Sequence, residues 1–189
     1  FKVEKNYLIM NYRERAKSIL EFYVEASKVF GEFQQKNKMP CPSGCGQCCL
    51  NPDISCSPFE LLPLALHLID EGKAETMLEV ARLKGHERCL LLEVNVEGSG
   101  KNQCSHYQFR PFICRAFGVS ARHGKNGRID YSICRVLKES DHLLNECNRP
   151  AEEIPFIEVW KKRFEVLDPQ LLDREVPVNQ ALVIILEKI

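Results

Sequence analysis

Cys41-Pro42-Ser43-Gly44-Cys45-Gly46-Gln47-Cys48-Cys49 places four of the chain's ten cysteines within nine residues, separated only by Pro, Ser, Gly and Gln. Glycine and proline keep this stretch out of a helix, so its thiols can converge on one soft cation. Two other readings stand beside metal binding: a disulfide knot, or small buried hydrophobic side chains. A disulfide needs Cα atoms about 4.4–6.8 Å apart with facing side chains, which adjacent Cys48 and Cys49 reach only with strain. The composition therefore favours a metal or iron–sulfur site.

Cys89, Cys104, Cys114 and Cys134 fall in a later stretch that is rich in glycine and poor in helical periodicity. Eight thiols thus lie in two irregular segments. Cys56, just before an expected helix, and Cys147, near the end of another, read as ordinary buried thiols. Ten cysteines among 189 residues are roughly 5% of the chain, below the share of about 8–10% in small secreted disulfide scaffolds. That favours a reducing compartment, and a cytoplasmic location, where thiols stay free for metal.

The formal net charge is zero, so composition gives no overall attraction to nucleic acid or anionic lipid. The sequence has no apolar run of about 18 residues of the kind that spans a bilayer. Neither a nucleic-acid nor a membrane partner is expected. The chain opens at Phe1, which leaves a removed signal peptide open.

Around the cysteines the pattern is helical. Ile9, Tyr12, Ala16, Ile19, Tyr23, Ala26, Phe30 and Phe33 recur every three or four residues with charged and polar residues between them, predicting one long amphipathic helix. Its stripe is either the inner face of its own domain or a docking face for a protein partner or a second copy; two alanines and several aromatics are untypical of a coiled-coil seam. Ser57-Pro58-Phe59-Glu60 is a capping box that predicts a helix from Pro58 to about Asp70. Gly72 and Gly85 bracket a second, with Met77, Leu78 and Ala81 inward.

From His86 to Arg135 the pattern changes. Leu90 to Val96 predicts a short strand, Gly98-Ser99-Gly100 a flexible turn and Asn126-Gly127 a tight one, while Arg110-Pro111 opens a helical turn carrying Cys114. Basic residues between Arg122 and Arg128 read as a solvated turn. Helices are expected again after Cys134 through His142 to Cys147, around Phe156 to Leu167, and from Ala181 to Leu186, with Asp168-Pro169 as a further N-cap. The expectation is a mainly α single domain over residues 1–189: a long helix over 1–38, a cysteine-cluster core over 39–135 and closing helices over 136–189.

Cys41-x3-Cys45-x2-Cys48 also has the spacing by which radical S-adenosylmethionine enzymes hold a [4Fe–4S] cluster. Those enzymes use a β/α barrel, for which this helical chain is short. The loop followed by Cys49, Cys89, the run Cys104-Ser-His-Tyr-Gln-Phe-Arg110-Pro111-Phe-Ile-Cys114-Arg115, and Cys134 resembles the CxxCxxCC, or YkgJ-like, bacterial cysteine-cluster family. The first spacer here has three residues where that family usually has two. The resemblance implies zinc or iron chelation and a relationship to a domain of flagellin lysine N-methylase.

The candidate metal ligands are Cys41, Cys45, Cys48, Cys49, Cys89, Cys104, Cys114 and Cys134. Eight thiolates would fill two four-thiolate zinc sites; fewer would hold one [4Fe–4S] cluster. Because adjacent side chains diverge, Cys48 and Cys49 are expected to serve different centres, or one of them to be structural. Arg110, Arg115 and Arg135 read either as donors to sulfur or as solvated or carboxylate-paired arginines. His106 reads as a partly buried polar side chain, with metal ligation the alternative. No acyl-transfer triad, P-loop or dinucleotide motif occurs. Three functions stay open: a metal-binding protein holding Zn2+ or an iron(-sulfur) centre, an iron–sulfur enzyme of the lysine-methylase kind, and a metal-stabilised interaction module.

Overall fold

A computed structural model describes residues 11–39, 41–84, 87–94, 98, 100–138, 154–167 and 174–189. The expected helix from His142 to Cys147, the Asp168-Pro169 cap, Ile9 and most of the Leu90 to Val96 strand's second half lie outside the described residues.

The long helix α1 spans Tyr12–Lys36. Asn11 starts it: its side-chain oxygen accepts the N–H groups of Arg13 (2.7 Å) and Glu14 (3.4 Å), and its own N–H donates to the Glu14 carboxylate at 3.2 Å. This reciprocal cap satisfies donors that the first turn leaves open. Ala16, Ile19, Phe22, Tyr23, Ala26, Phe30 and Phe33 are buried on one side, so the stripe faces the chain's own interior. As a docking face for a partner or second copy, that stripe is already covered by the helices below.

The helix expected from Pro58 begins instead as a 3-10 turn over Pro58–Leu61, and α2 runs from Leu62 to Asp70. Pro63 is the reason. It has no N–H for the carbonyl of Phe59, which accepts from Leu62 instead, so the first turn tightens. Helix α3, Ala74–Lys84, buries Ala81 and half-buries Met77 and Leu78 as the spacing predicts. Short helices follow at Phe112–Ala116 (α4) and Arg135–Lys138 (α5), then α6 over Ile157–Leu167 and α7 over Val178–Lys188.

Three antiparallel two-stranded ribbons link these helices among the described residues. Ser55–Cys56 (β1) pairs with Val176–Pro177 (β6), and Leu92–Glu93 (β2) with Gln103–Cys104 (β3). Val119–His123 (β4) pairs with Ile129–Ile133 (β5). The last ribbon turns at Asn126 and Gly127, whose φ values of +62° and +73° suit the right-handed twist of a tight hairpin. The residues of that turn are exposed, as expected of the basic stretch.

The larger core joins α1, α2, α4, α6 and α7 through Phe22, Phe30, Leu64, Phe112, Trp160 and Leu182, among others. Phe22 is its hub, with ring centroids 4.7 Å from Phe164, 5.6 Å from Trp160 and 5.7 Å from Phe112. Such tilted and edge-on pairs each add on the order of 1 kcal/mol beyond area burial. A smaller core unites Phe33, Met39, Ala121, Ile133, Leu137, Ile154 and Phe156. Cys89 and Cys104 pack against the larger core and Cys134 against the smaller. The architecture is mainly α, as expected, with three short ribbons among the described residues where at most a short hairpin was expected.

Candidate metal centre

The loop over residues 41–49 is held by its backbone. Gly44 and Gly46 have φ of +76° and +58°, and a Cβ on either would stand 2.6 Å from the Lys101 Cβ or 2.7 Å from the Asn102 Cβ. The loop therefore presses directly on residues 101 and 102, and only glycine fits both the conformation and the approach. The Asn102 N–H donates to the Gly44 carbonyl (2.8 Å), and the Cys89 N–H to the Cys49 carbonyl (2.9 Å). These two bonds stitch the loop to both later cysteine segments.

Cys48 and Cys49 sit in a 3-10 turn, Gln47–Leu50, that follows Gly46. Their side chains do not diverge: the sulfurs are 3.9 Å apart and both line one cleft. Two sulfurs on one tetrahedral zinc at a Zn–S distance of about 2.3 Å stand about 3.8 Å apart. Adjacent cysteines are thus near enough to face one ion here, so the expected divergence of their side chains is not what the structure shows.

The same cleft is lined by Cys89 and Cys114, with Pro52, Ile54, Phe117 and Val178 as apolar walls. Cys89 arrives on the bend before β2, and Cys114 on α4, whose N-terminal Phe112 N–H is capped by Glu60 at 2.8 Å. Cys104, at the end of β3, is close enough to Cys48, Cys89 and Cys114 to interact with them electrostatically. Cys41, Cys45 and Cys134 stand outside the cleft lining; Cys134 follows β5 and its N–H donates to the Gly118 carbonyl at 3.0 Å. Cys56 is fully buried in the larger core, as expected of a thiol that does not ligate, and Cys147 lies outside the described residues.

All nine described cysteines are free thiols, and the eight candidates are exposed or half-buried. Burial, together with the charge of neighbouring cysteines, pushes the Cys41, Cys104 and Cys114 thiols up and Cys89 up to about 11. A hydrogen bond from Cys49 pulls the Cys48 thiol down, and the same contact with burial pushes Cys49 up. Crowded thiols of this kind resist collective ionisation, and a bound cation reverses the sign of that interaction. Among the described residues no three His, Cys, Asp or Glu side chains already stand in ligating geometry round one point. The donor set nonetheless fits a thiophilic ion in its chemistry, because four thiols from three chain segments share one cleft.

Arg110 supplies the positive charge of the cluster. It favours the thiolate forms of Cys41, Cys48, Cys104 and Cys114. Its guanidinium lies 3.5 Å over the Tyr107 ring and its Nε is buried without a hydrogen-bond partner. Arg115 does something else. Its three nitrogens donate to the carbonyls of Arg110 (2.8 Å) and Gln108 (2.6 Å) and to Ser27 Oγ (2.7 Å), so it clamps α4 to α1. Arg135 opens α5 immediately after Cys134. His106 is half-buried, with Nδ1 2.8 Å from Ser105 Oγ, and burial lowers its pKa.

One supporting residue escapes a reading of the sequence and a second shows only half of its role. Asn179 is 4% exposed and holds the bend that carries Cys89: Oδ1 accepts the Leu90 N–H (3.1 Å) while Nδ2 donates to the carbonyls of Arg88 (3.1 Å) and Glu87 (3.4 Å). A polar residue in the first turn of an apolar helix was its only signal. Glu60 was visible as a capping residue, but its second role at α4 was not.

Helices framing a cleft with a thiol floor define a cysteine-cluster protein. The CxxCxxCC family model, described as "Putative zinc- or iron-chelating domain", matches residues 40–148, more than half of the chain, and the chain belongs to that family. No curated protein and no solved structure matches it.

Proposed function

We propose that the protein binds zinc or iron through Cys41, Cys45, Cys48, Cys49, Cys89, Cys104, Cys114 and Cys134. One observation carries this reading: Cys48, Cys49, Cys89 and Cys114, distant in sequence, line a single cleft as free thiols. Zinc is the ion expected in material handled in air, because zinc needs no assembly machinery and does not change oxidation state. A reducing, cytoplasmic setting suits free thiols of this number. No helix is long and apolar enough to cross a membrane among the described residues.

A second reading is an iron–sulfur enzyme related to protein lysine methylases, which an open coordination position would favour, since closed four-thiolate sites are normally structural. Elemental analysis and the absorption spectrum of anaerobically purified protein separate the two. Stoichiometric zinc without colour supports the first; a broad visible band with iron and sulfide supports the second. Less than about one equivalent of zinc plus iron defeats both.

A further inference from the structure

Cys48 and Cys49 hold their sulfurs 3.9 Å apart in the lining of the cleft, as free thiols that are half-buried and not sealed off. An S–S bond is about 2.05 Å long, and rotation about the two Cα–Cβ bonds can close a gap of this size. The backbone sets the limit. Consecutive Cα atoms stand about 3.8 Å apart, short of the lower bound of about 4.4 Å for relaxed disulfides. A bond between these two is therefore strained, and strained disulfides are the readily reduced ones that serve regulation. The strain also bears on the loop. The Cys49 carbonyl accepts the Cys89 N–H at 2.9 Å and the Cys48 carbonyl accepts the Asn51 N–H at 3.2 Å, so twisting the peptide between the two cysteines loosens the loop from the segment that carries Cys89.

We propose that Cys48 and Cys49 are an oxidation site: hydrogen peroxide joins them in a reversible disulfide between neighbours, which dismantles the metal site they help to form. The pairing stands on the geometry of the thiols, whereas release of the ion rests on the metal-binding reading above. One of the two, as thiolate, attacks a peroxide oxygen. An S–O bond forms, the O–O bond breaks, and the departing hydroxide takes the proton that this thiol gave up, leaving as water. The neighbouring sulfur, already within 4 Å, attacks the sulfenic sulfur; the S–S bond forms, the S–O bond breaks, and the second thiol's proton leaves in a second water. Two thiols thus give two electrons to one peroxide. Glutathione reverses the step, two molecules reducing the bond and leaving as one glutathione disulfide. Because the thiolate is the metal ligand, an ion in the cleft loses two anionic donors at once and keeps only Cys89 and Cys114 of the four thiols that line it.

The test is a map of every thiol in the whole chain after treatment with hydrogen peroxide. Free thiols are blocked in denaturant with one alkylating reagent, disulfides are reduced and labelled with a second, and peptide fragmentation reads the label on each cysteine. The expected result is the second label on Cys48 and Cys49 together, with the first on Cys89 and Cys114. Cys48→Ala should abolish the second label on Cys49, and Cys49→Ala that on Cys48. The wild-type map needs no variant, so the proposal stays open to refutation if these substitutions disturb folding. Bonds from either cysteine to Cys45, Cys89 or Cys114, or a bond that glutathione does not reduce, overturn it. In the zinc-loaded chain, release of zinc to a chromophoric chelator should keep pace with formation of the pair and reverse with glutathione, apparent zinc affinity falling about a hundred-fold or more in the oxidised protein. Pairing without release overturns the claim that the bond dismantles the metal site. A chain that pairs these cysteines yet takes up no zinc when reduced refutes the metal-binding reading and leaves the oxidation site standing.

Discussion

Asn179 accepts the Leu90 N–H through its side-chain oxygen at 3.1 Å, across 89 residues of sequence. With its amide nitrogen on the Arg88 and Glu87 carbonyls, it fixes the backbone on both sides of Cys89. Asn179→Ala leaves one N–H and two carbonyls without these partners in a largely buried place, a cost of about 2–4 kcal/mol. Urea unfolding should show that loss, and metal affinity should fall with it because Cys89 is no longer positioned.

Gly44 and Gly72 offer a matched pair. Both have positive φ, but a Cβ at Gly44 meets Lys101 at 2.6 Å while one at Gly72 meets nothing within 4 Å. Gly72→Ala should cost about 1–2 kcal/mol, the conformational penalty alone. Gly44→Ala should cost about 2 kcal/mol more, since it also drives the cysteine loop off residues 101 and 102. Equal destabilisation of the two in thermal unfolding would show that the loop does not press on that segment.

Glu60 makes stability depend on pH. Burial raises its pKa from 4.5 to about 7, against the pull of the Ser57 and Phe112 N–H groups, with Glu175 and Lys161 as its charged neighbours. The folded state thus holds a proton that the unfolded chain has already lost. This contribution is fully present below about pH 4.5 and declines by about 3 kcal/mol as pH rises through 7. Glu60→Gln should flatten that decline. It should be less stable than wild type by about 1–3 kcal/mol at pH 5, having lost an acceptor, with the gap narrowing towards pH 8 in urea titrations.

Arg110 should set the proton cost of loading metal. Thiols pushed above their ordinary pKa must lose protons to ligate, so apparent affinity rises with pH across the neutral range. Arg110→Met removes the charge that favours their thiolates, and zinc affinity at pH 7 should fall about ten-fold or more. Arg110→Lys should recover part of it. A competition titration at pH 7 and pH 8.5 checks this: the deficit should shrink at the higher pH.

Much of this was legible in the sequence, and the reasons differ by element. The stripe from Tyr12 to Phe33 shows because a long surface helix repeats its apolar positions many times. Phe22 did not show as part of the pattern, yet it became the centre of the core because the stripe is wider than a single row. The cysteine loop shows because nothing but a close-packed turn needs its glycines, although the partners at residues 101 and 102 are invisible locally. The pairing of β1 with β6 was not legible: two-residue strands carry no periodicity, and partners more than a hundred residues apart leave no local trace. For the same reason the sharing of one cleft by Cys49 and Cys114 had to be seen in three dimensions. The Cys48 and Cys49 side chains were expected to diverge as neighbours in an irregular loop; the 3-10 turn brings their sulfurs together instead.

Val178 and Asn179 complete the cleft from α7, whereas its first thiols come from residues 48 and 49. On a ribosome adding about 5–20 residues per second, the wall follows the floor by roughly 10 s. The backbone partners of the loop at residues 89 and 102 arrive early in that interval, and the wall from α7 arrives only at its end. Capture of the correct ion is then a matter of timing as well as affinity: an ion seated during synthesis meets a flexible chelate, and one seated afterwards meets a cleft of fixed shape.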